Sequence, residues 1–375
     1  MPYTKHLQLE QVLQRVDAEH LKRFILKDTA SEALTAFANA GQWFELLHRI
    51  DGQKRERIEA ELGRVGDIAN ANGMRMLVDR LSGANVVFDP EATPHQLAMF
   101  CRLEHPGVFD YVYDRYWFEQ GQTFVEYRAA EAISGDLTKE AVGRLAEAIK
   151  REASQQAEGK RCAIRSYTEE DRCFLIVHHL GYRQVIEELD ESDQSDQVVP
   201  RIVRPTEVSA MIYEKASGRL KIHAAKQHVQ ERLRRLVGEV LFENKDLFNN
   251  PESQNVYSLE SLKDPGFSLV YESGDPIEGV KLTELSMRLP MQTNPRVTVY
   301  TKSGIMLAVE NLQLKVGSAD LLQAKIQFQF STKGRKGKTL TVTVKPPNTC
   351  TYDHGSPNAH YAEKYLRSKW QIARI

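Results

Sequence analysis

E-V-S-A-M-I-Y-E-K-A-S-G-R-L-K-I-H-A (residues 207–224) decides the fold, together with the A-K-Q-H-V-Q-E-R-L-R-R-L-V-G-E-V-L-F that follows it (225–242). β-Branched and aromatic residues run to Tyr213, Ser217-Gly218 reads as a turn, and alternation resumes through Leu220 and Ile222, which is the pattern of a β-hairpin. Val229, Leu233, Leu236, Val237 and Val240 then recur at helical spacing and give the next segment one apolar face. A hairpin feeding an amphipathic helix makes a compact α/β unit. It carries no catalytic signature.

Upstream of this unit, the same rules predict a second hairpin, Cys162–Tyr167 against Cys173–His179, whose later strand is apolar enough to be buried on both faces. Cys162 and Cys173 are expected either to face each other across it or to sit as small buried hydrophobes. A helix is expected from Thr138 (Val142, Leu145, Ile149) and a strand over Thr123–Tyr127. Residues 1 to about 82 read as short helices broken at Gly41, Gly52 and Gly73, a small helical bundle. Ser82-Gly83 and Asp89-Pro90 mark a boundary, and a helical segment from His95 to about Phe118 follows, dense in aromatics. Those rings suit a core better than a base-stacking platform. Glu187 to Asp196 holds six acids and no lysine or arginine, the composition of a solvated loop.

Downstream, Arg296–Tyr300 and Ile305–Val309 flank a Lys302-Ser303-Gly304 turn and read as a hairpin, with Leu312–Val316 as a further strand. Lys325–Ser331 and Thr339–Lys345 alternate, with Ile326, Phe328, Phe330, Leu340, Val342 and Val344 on one face and polar residues on the other. Ser356-Pro357 starts a short C-terminal helix through Tyr365, Leu366 and Trp370. The expected class is α+β: a helical N-terminal region (1–85), a central α/β domain with hairpins (90–250) and a β-rich C-terminal domain with a terminal helix (255–375).

The 375 residues suffice for two or three cores. Lysine and arginine (50) balance aspartate and glutamate (51), so any electrostatic function must come from local segregation. Four scattered cysteines, no apolar leader and no run of roughly 20 apolar residues point to a cytoplasmic protein outside the membrane. No phosphate-binding loop, nucleophile elbow or cysteine context is present, so no catalytic residue and no cofactor is assigned. Asp353, His354 and His360 are suitable metal ligands at a spacing that fits no motif, and no metal site is assigned. His178-His179 point to opposite faces of a strand and cannot easily share an ion. Glu126-Tyr127-Arg128, with Asp110 or Asp114 upstream, only approximates a metal-dependent nuclease, because arginine stands where a lysine is needed.

Charge segregation is the strongest functional signal. Between Lys315 and Lys345 there are seven basic residues against Asp320 alone, four of them in the turn after Thr332. Lys325, Lys333, Arg335, Lys336, Lys338 and Lys345 are therefore the expected nucleic-acid contacts, the alternative being a lysine-rich turn that protects the hairpin from edge pairing. Between Tyr213 and Arg235 seven basic residues face two acids, but i,i+4 pairs on the helix explain that run as a solvated face.

The Ile176–His179 strand end, the 207–224 hairpin and Pro346-Pro347-Asn348 give the chain a look that resembles accessory proteins of bacterial anti-phage defence operons. Those pair a helical region with α/β and β-rich modules. The resemblance implies a non-enzymatic cytoplasmic component that binds nucleic acid or scaffolds a complex that does, and it assigns no functional residue; separately, a protein partner is expected on the helical N-terminal region. A metal-dependent nuclease or hydrolase and a pure protein–protein adaptor are the alternatives.

Overall fold

The computed structural model describes residues 2–26, 40–119, 123–129, 138–154, 162–169, 171–180, 184–189, 198–203, 205–302, 304–331, 338–352, 356 and 358–373. The chain forms two compact units, Met1–Gln120 and Gly121–Ile375. Together they make a mixed α+β protein, with most helices N-terminal and most strands C-terminal.

The first unit contains α1 (Pro2–Arg15), α2 (Ala18–Leu26), α3 (Ala40–Arg49), α4 (Gly52–Ile68), α5 (Ala71–Gly83), α6 (Pro94–Glu104) and α7 (Pro106–Glu119). Its helix starts are written in the sequence. The Asn70 side chain accepts hydrogen bonds from the Asn72 and Gly73 amides, while Thr93 and Gln96 form a reciprocal capping box with proline at the first helical position. The aromatics of 100–118 belong to this core: Phe109 is fully buried in one cluster with Leu62, Val65, Leu97 and Val112 and stacks on Tyr113, and Phe100, Tyr111 and Tyr116 pack against the cluster. Ser82-Gly83 ends α5 and Asp89-Pro90 falls between α5 and α6, both inside this unit.

The second unit contains β1 (Phe124–Arg128), α8 (Lys139–Ser154), β2 (Cys162–Thr168), β3 (Arg172–Leu180), β4 (Gln184–Leu189), β5 (Val198–Val203), β6 (Thr206–Glu214), β7 (Arg219–His223) and α9 (Gln227–Phe242). It continues through α10 (Pro251–Gln254), β8 (Ile277–Arg288), β9 (Arg296–Tyr300), α11 (Ile305–Asn311), β10 (Asp320–Phe330), β11 (Thr339–Lys345), β12 (Thr349–Thr351) and α12 (Ala359–Lys364), which ends in a π-helical turn over Tyr365–Lys369. Ten strands form one antiparallel sheet in the order β2-β3-β6-β7-β1-β12-β11-β10-β8-β9, and β4 and β5 pair separately. The expected central and C-terminal β segments thus share a sheet, joined where β1 pairs with β12.

That junction fixes which faces are covered. Val125 lies opposite Thr349 and Phe124 opposite Cys350, and residues directly opposite one another share a face. Val125 and Tyr127 belong with Cys173, Leu175, Val177, Met211, Tyr213, Leu220 and Ile222 beneath α8 and α9. Cys350 instead belongs with Val342, Val344, Ile326 and Phe328 beneath Tyr365, Leu366 and Trp370. The two halves of the sheet therefore lay their main apolar cores on opposite faces. Each buried large aliphatic side chain contributes about 1.5–3 kcal/mol, so Val229, Leu233, Leu236 and Val237 suffice to hold α9 down.

The 207–224 hairpin forms as read, with Gly218 at φ 61° in its turn, where a side chain would be strained. Several expectations change. Ile305–Val309 is the helix α11 rather than a strand: Ile305 and Val309, four apart, are buried while Met306 and Leu307 are exposed. Leu312–Val316 forms no strand and leads into a 3-10 turn at Val316–Ser318. Cys162 lies opposite His179 and Cys173 opposite Thr168, so the two thiols do not face each other and all four cysteines are free. Glu187–Leu189 belongs to β4, and the rest of that acidic run lies outside the described residues.

Candidate nucleic-acid interface

The β10–β11 hairpin divides its side chains as alternation dictates. Ile326, Phe328, Phe330, Leu340, Val342 and Val344 are all buried. Gln329, Thr339, Thr341 and Lys345 are exposed, and Gln327, Thr343 and Lys325 are partly so. Register extends this polar face sideways. Gln327 lies opposite Lys281 and Lys325 opposite Glu284 on β8; Glu284 lies opposite Tyr300 and Arg288 opposite Arg296 on β9; Lys345 lies opposite Thr349 on β12. Five strands thus present threonine, glutamine, lysine and arginine on a face that no helix covers among the described residues.

Its charges are not equivalent. Lys325 is held by Glu284, Nζ to Oε2 at 2.6 Å, so this predicted contact is already neutralised. Arg288 stands 3.7 Å from Asp320, and Gln329 donates to Glu278 at 3.5 Å. Lys281, Arg296, Lys338 and Lys345 form no ion pair with a described residue. Of the sites expected from sequence, Lys345 remains as an unpaired cation on this face; Lys338, exposed just before β11, stands opposite Phe330 with the parity of Leu340 and Val342, and Lys333, Arg335 and Lys336 lie outside the described residues. Lys281 and Arg296 are additions. The alternation of β8 and β9 signalled them, but only the strand order brings them beside β10.

On the opposite face, near the β1–β12 junction, lies a buried charge network. Glu126 is 1% exposed, Arg219 3% and Lys221 5%. Tyr257 donates to Glu126 Oε1 at 2.7 Å and Arg219 to Oε2 at 3.4 Å, while Lys221 lies opposite Glu126 in register. Lys221 Nζ is 3.2 Å from Glu214 Oε1, and Arg172 and Arg367 approach the same carboxylate at 3.9 and 3.6 Å. Burial works to raise the Glu214 carboxyl, but Lys221, Arg172 and Arg367 outweigh it and hold it down at about 2. Burial, reinforced by Glu126, pushes the Tyr257 hydroxyl well above its ordinary value. An open cleft of about 510 Å³ borders the network at Asp171, Arg172, Glu214, Glu363 and Arg367.

This environment answers the nuclease pattern around Glu126. Its carboxylate is occupied by Arg219 and Tyr257 and does not reach solvent, while Asp110, in the other unit, is bound to Arg64 at 2.6 Å. Among the described residues no three His, Cys, Asp or Glu side chains are grouped to hold a metal; Asp353 and His354 lie outside them, and His360 is exposed. His178 contacts Arg165 at 2.8 Å and His179 contacts Ser209 at 3.2 Å, each on its own face. No described helix is long and apolar enough to cross a membrane.

Fold and face together define an α+β protein with a broad uncovered polar sheet. No family model matches the chain, and no curated protein matches it in sequence.

Proposed function

We propose that this protein is a non-enzymatic, cytoplasmic nucleic-acid-binding component of a larger assembly, and that the uncovered face of β12, β11, β10, β8 and β9 is its contact surface. The observation that carries this reading is the set of unpaired cations, Lys281, Arg296 and Lys345, among threonines and glutamines on a face whose described acids have partners. Lysine and arginine in such an array neutralise phosphates, and threonine and glutamine offer hydrogen bonds to phosphate and base edges. The sequence between β10 and β11 adds Lys333, Arg335 and Lys336. The helical N-terminal region is the proposed site for a protein partner.

The test is a salt titration on a duplex oligonucleotide with the parent protein and with Lys333, Arg335, Lys336 and Lys338 replaced by serine. The four replaced residues supply about −3.6 of the log–log slope, at about −0.9 per contact, and the variant loses that share while Lys281, Arg296 and Lys345 keep theirs. An unchanged slope and affinity, or no binding by the parent at low salt, refutes the reading and favours the pure adaptor.

A further inference from the structure

The sheet ends at β9, and the backbone there has a direction. Thr301 donates to the Thr283 carbonyl at 3.1 Å and Leu289 to the Pro295 carbonyl at 3.0 Å. Odd-numbered residues of this segment therefore address β8, and antiparallel alternation turns the N–H and C=O groups of Arg296, Thr298 and Tyr300 outward. No described strand pairs with that edge. Exposed apolar groups lie on it or just after it in the chain: Tyr300 is 65% exposed, Leu307 64% and Leu312 60%.

We propose that the outer edge of β9 is a homodimer interface, to which a second copy of this chain adds its own β9 antiparallel about a two-fold axis at Thr298. The strand is self-complementary in that register. Thr298 exchanges two backbone hydrogen bonds with Thr298 of the second copy, and each Arg296 exchanges two with Tyr300 of the other, six in all. Opposite residues share a face, so each exposed Arg296 side chain stands across from an exposed Tyr300 ring, a cation–π pairing made twice. On the other face Val297 meets Val299 and extends the apolar layer beneath β8 and β9. A free edge is ordinarily guarded by charge. Here the charged residue of the strand, Arg296, is the one that the register gives a partner. The inference does not rest on nucleic-acid binding, although Arg296 is shared with the proposed contact face and pairing at β9 makes the polar faces of two copies continuous.

Sedimentation equilibrium of the full chain tests it. At ~100 μM, where even a ~10 μM association is well populated, the mass is that of two chains. Thr298→Pro returns it to one chain; this amide points away from β8, so the substitution removes no backbone bond within the sheet. Thr298→Val controls for the lost hydroxyl contact with Ser286 and stays dimeric, and an unchanged circular dichroism spectrum confirms folding. Arg296→Glu weakens association at least ten-fold, and the Arg296→Glu/Tyr300→Lys double variant restores it, because each new carboxylate then faces a new ammonium across the axis. Thr298→Cys tests the register without disrupting the strand. Its Cα separation in a hydrogen-bonded pair, about 5.5 Å, lies within disulfide range, so oxidation covalently links the copies. A parent that stays monomeric at that concentration overturns the proposal, as does a Thr298→Pro variant that stays dimeric or a double variant no better than Arg296→Glu.

Discussion

Under α8 and α9 the sheet residues of one parity are Leu175, Val177, Met211, Leu220 and Ile222; continued past the β1–β12 junction, that same face becomes Thr349, Lys345, Thr343, Thr341 and Gln327. The first half spends this face on a core and places its charges on the reverse, where Glu126, Lys221 and Glu214 are enclosed and mutually paired. The second half buries the reverse and leaves this face to solvent. Charge therefore does two different jobs in one sheet. Enclosed, it holds the structure together, and removing one member leaves a partner uncompensated. Exposed, it contributes little to stability and is available to a ligand.

The largest effect should separate these two kinds of lysine. Lys221→Met leaves Glu126 and Glu214 short of a cation and should cost about 3–5 kcal/mol in urea unfolding. Lys325→Met, at a side chain 37% exposed and with Glu284 keeping its hydrogen bond from Gln323, should cost no more than about 1 kcal/mol. Equal losses would erase the distinction. Within β10, Phe328→Ala should cost about 3–5 kcal/mol because the ring is fully buried against Phe330 and Trp370. Its neighbour Gln327→Ala should stay within about 0.5 kcal/mol.

Next comes pH. The Glu214 carboxyl sits below its ordinary 4.5 in the folded protein, so its stabilisation is complete above that value and is lost as the pH falls toward about 2. The loss should be on the order of 3 kcal/mol, at about 1.4 kcal/mol per unit. Stability measured from pH 5 to 2.5 should therefore fall less steeply in Glu214→Gln. Identical slopes would mean that the cluster does not hold this carboxylate down.

The local signals explain how far the sequence could be read. The 207–224 hairpin, α9 and the β10–β11 pair each announce themselves by a clean period, and each forms. Ile305–Val309 misleads because a short apolar run fits strand and helix equally, and burial of Ile305 and Val309 alone resolves it. Lys338 and Lys345 could be singled out from charge along one hairpin. Lys281 and Arg296 could not, because the order β11-β10-β8-β9 is a long-range fact. The Glu126 network is illegible for the same reason: its members come from β1, β6, β7 and the C-terminal turn.

The most direct measurement places a photoreactive side chain at Thr341 on the open face, and separately at exposed Glu231 on α9, and irradiates each with duplex DNA at low salt. The account predicts cross-linking from position 341 that disappears as salt is raised, and none above background from position 231. Equal cross-linking from both positions, or none from position 341 while the DNA is bound, would contradict it.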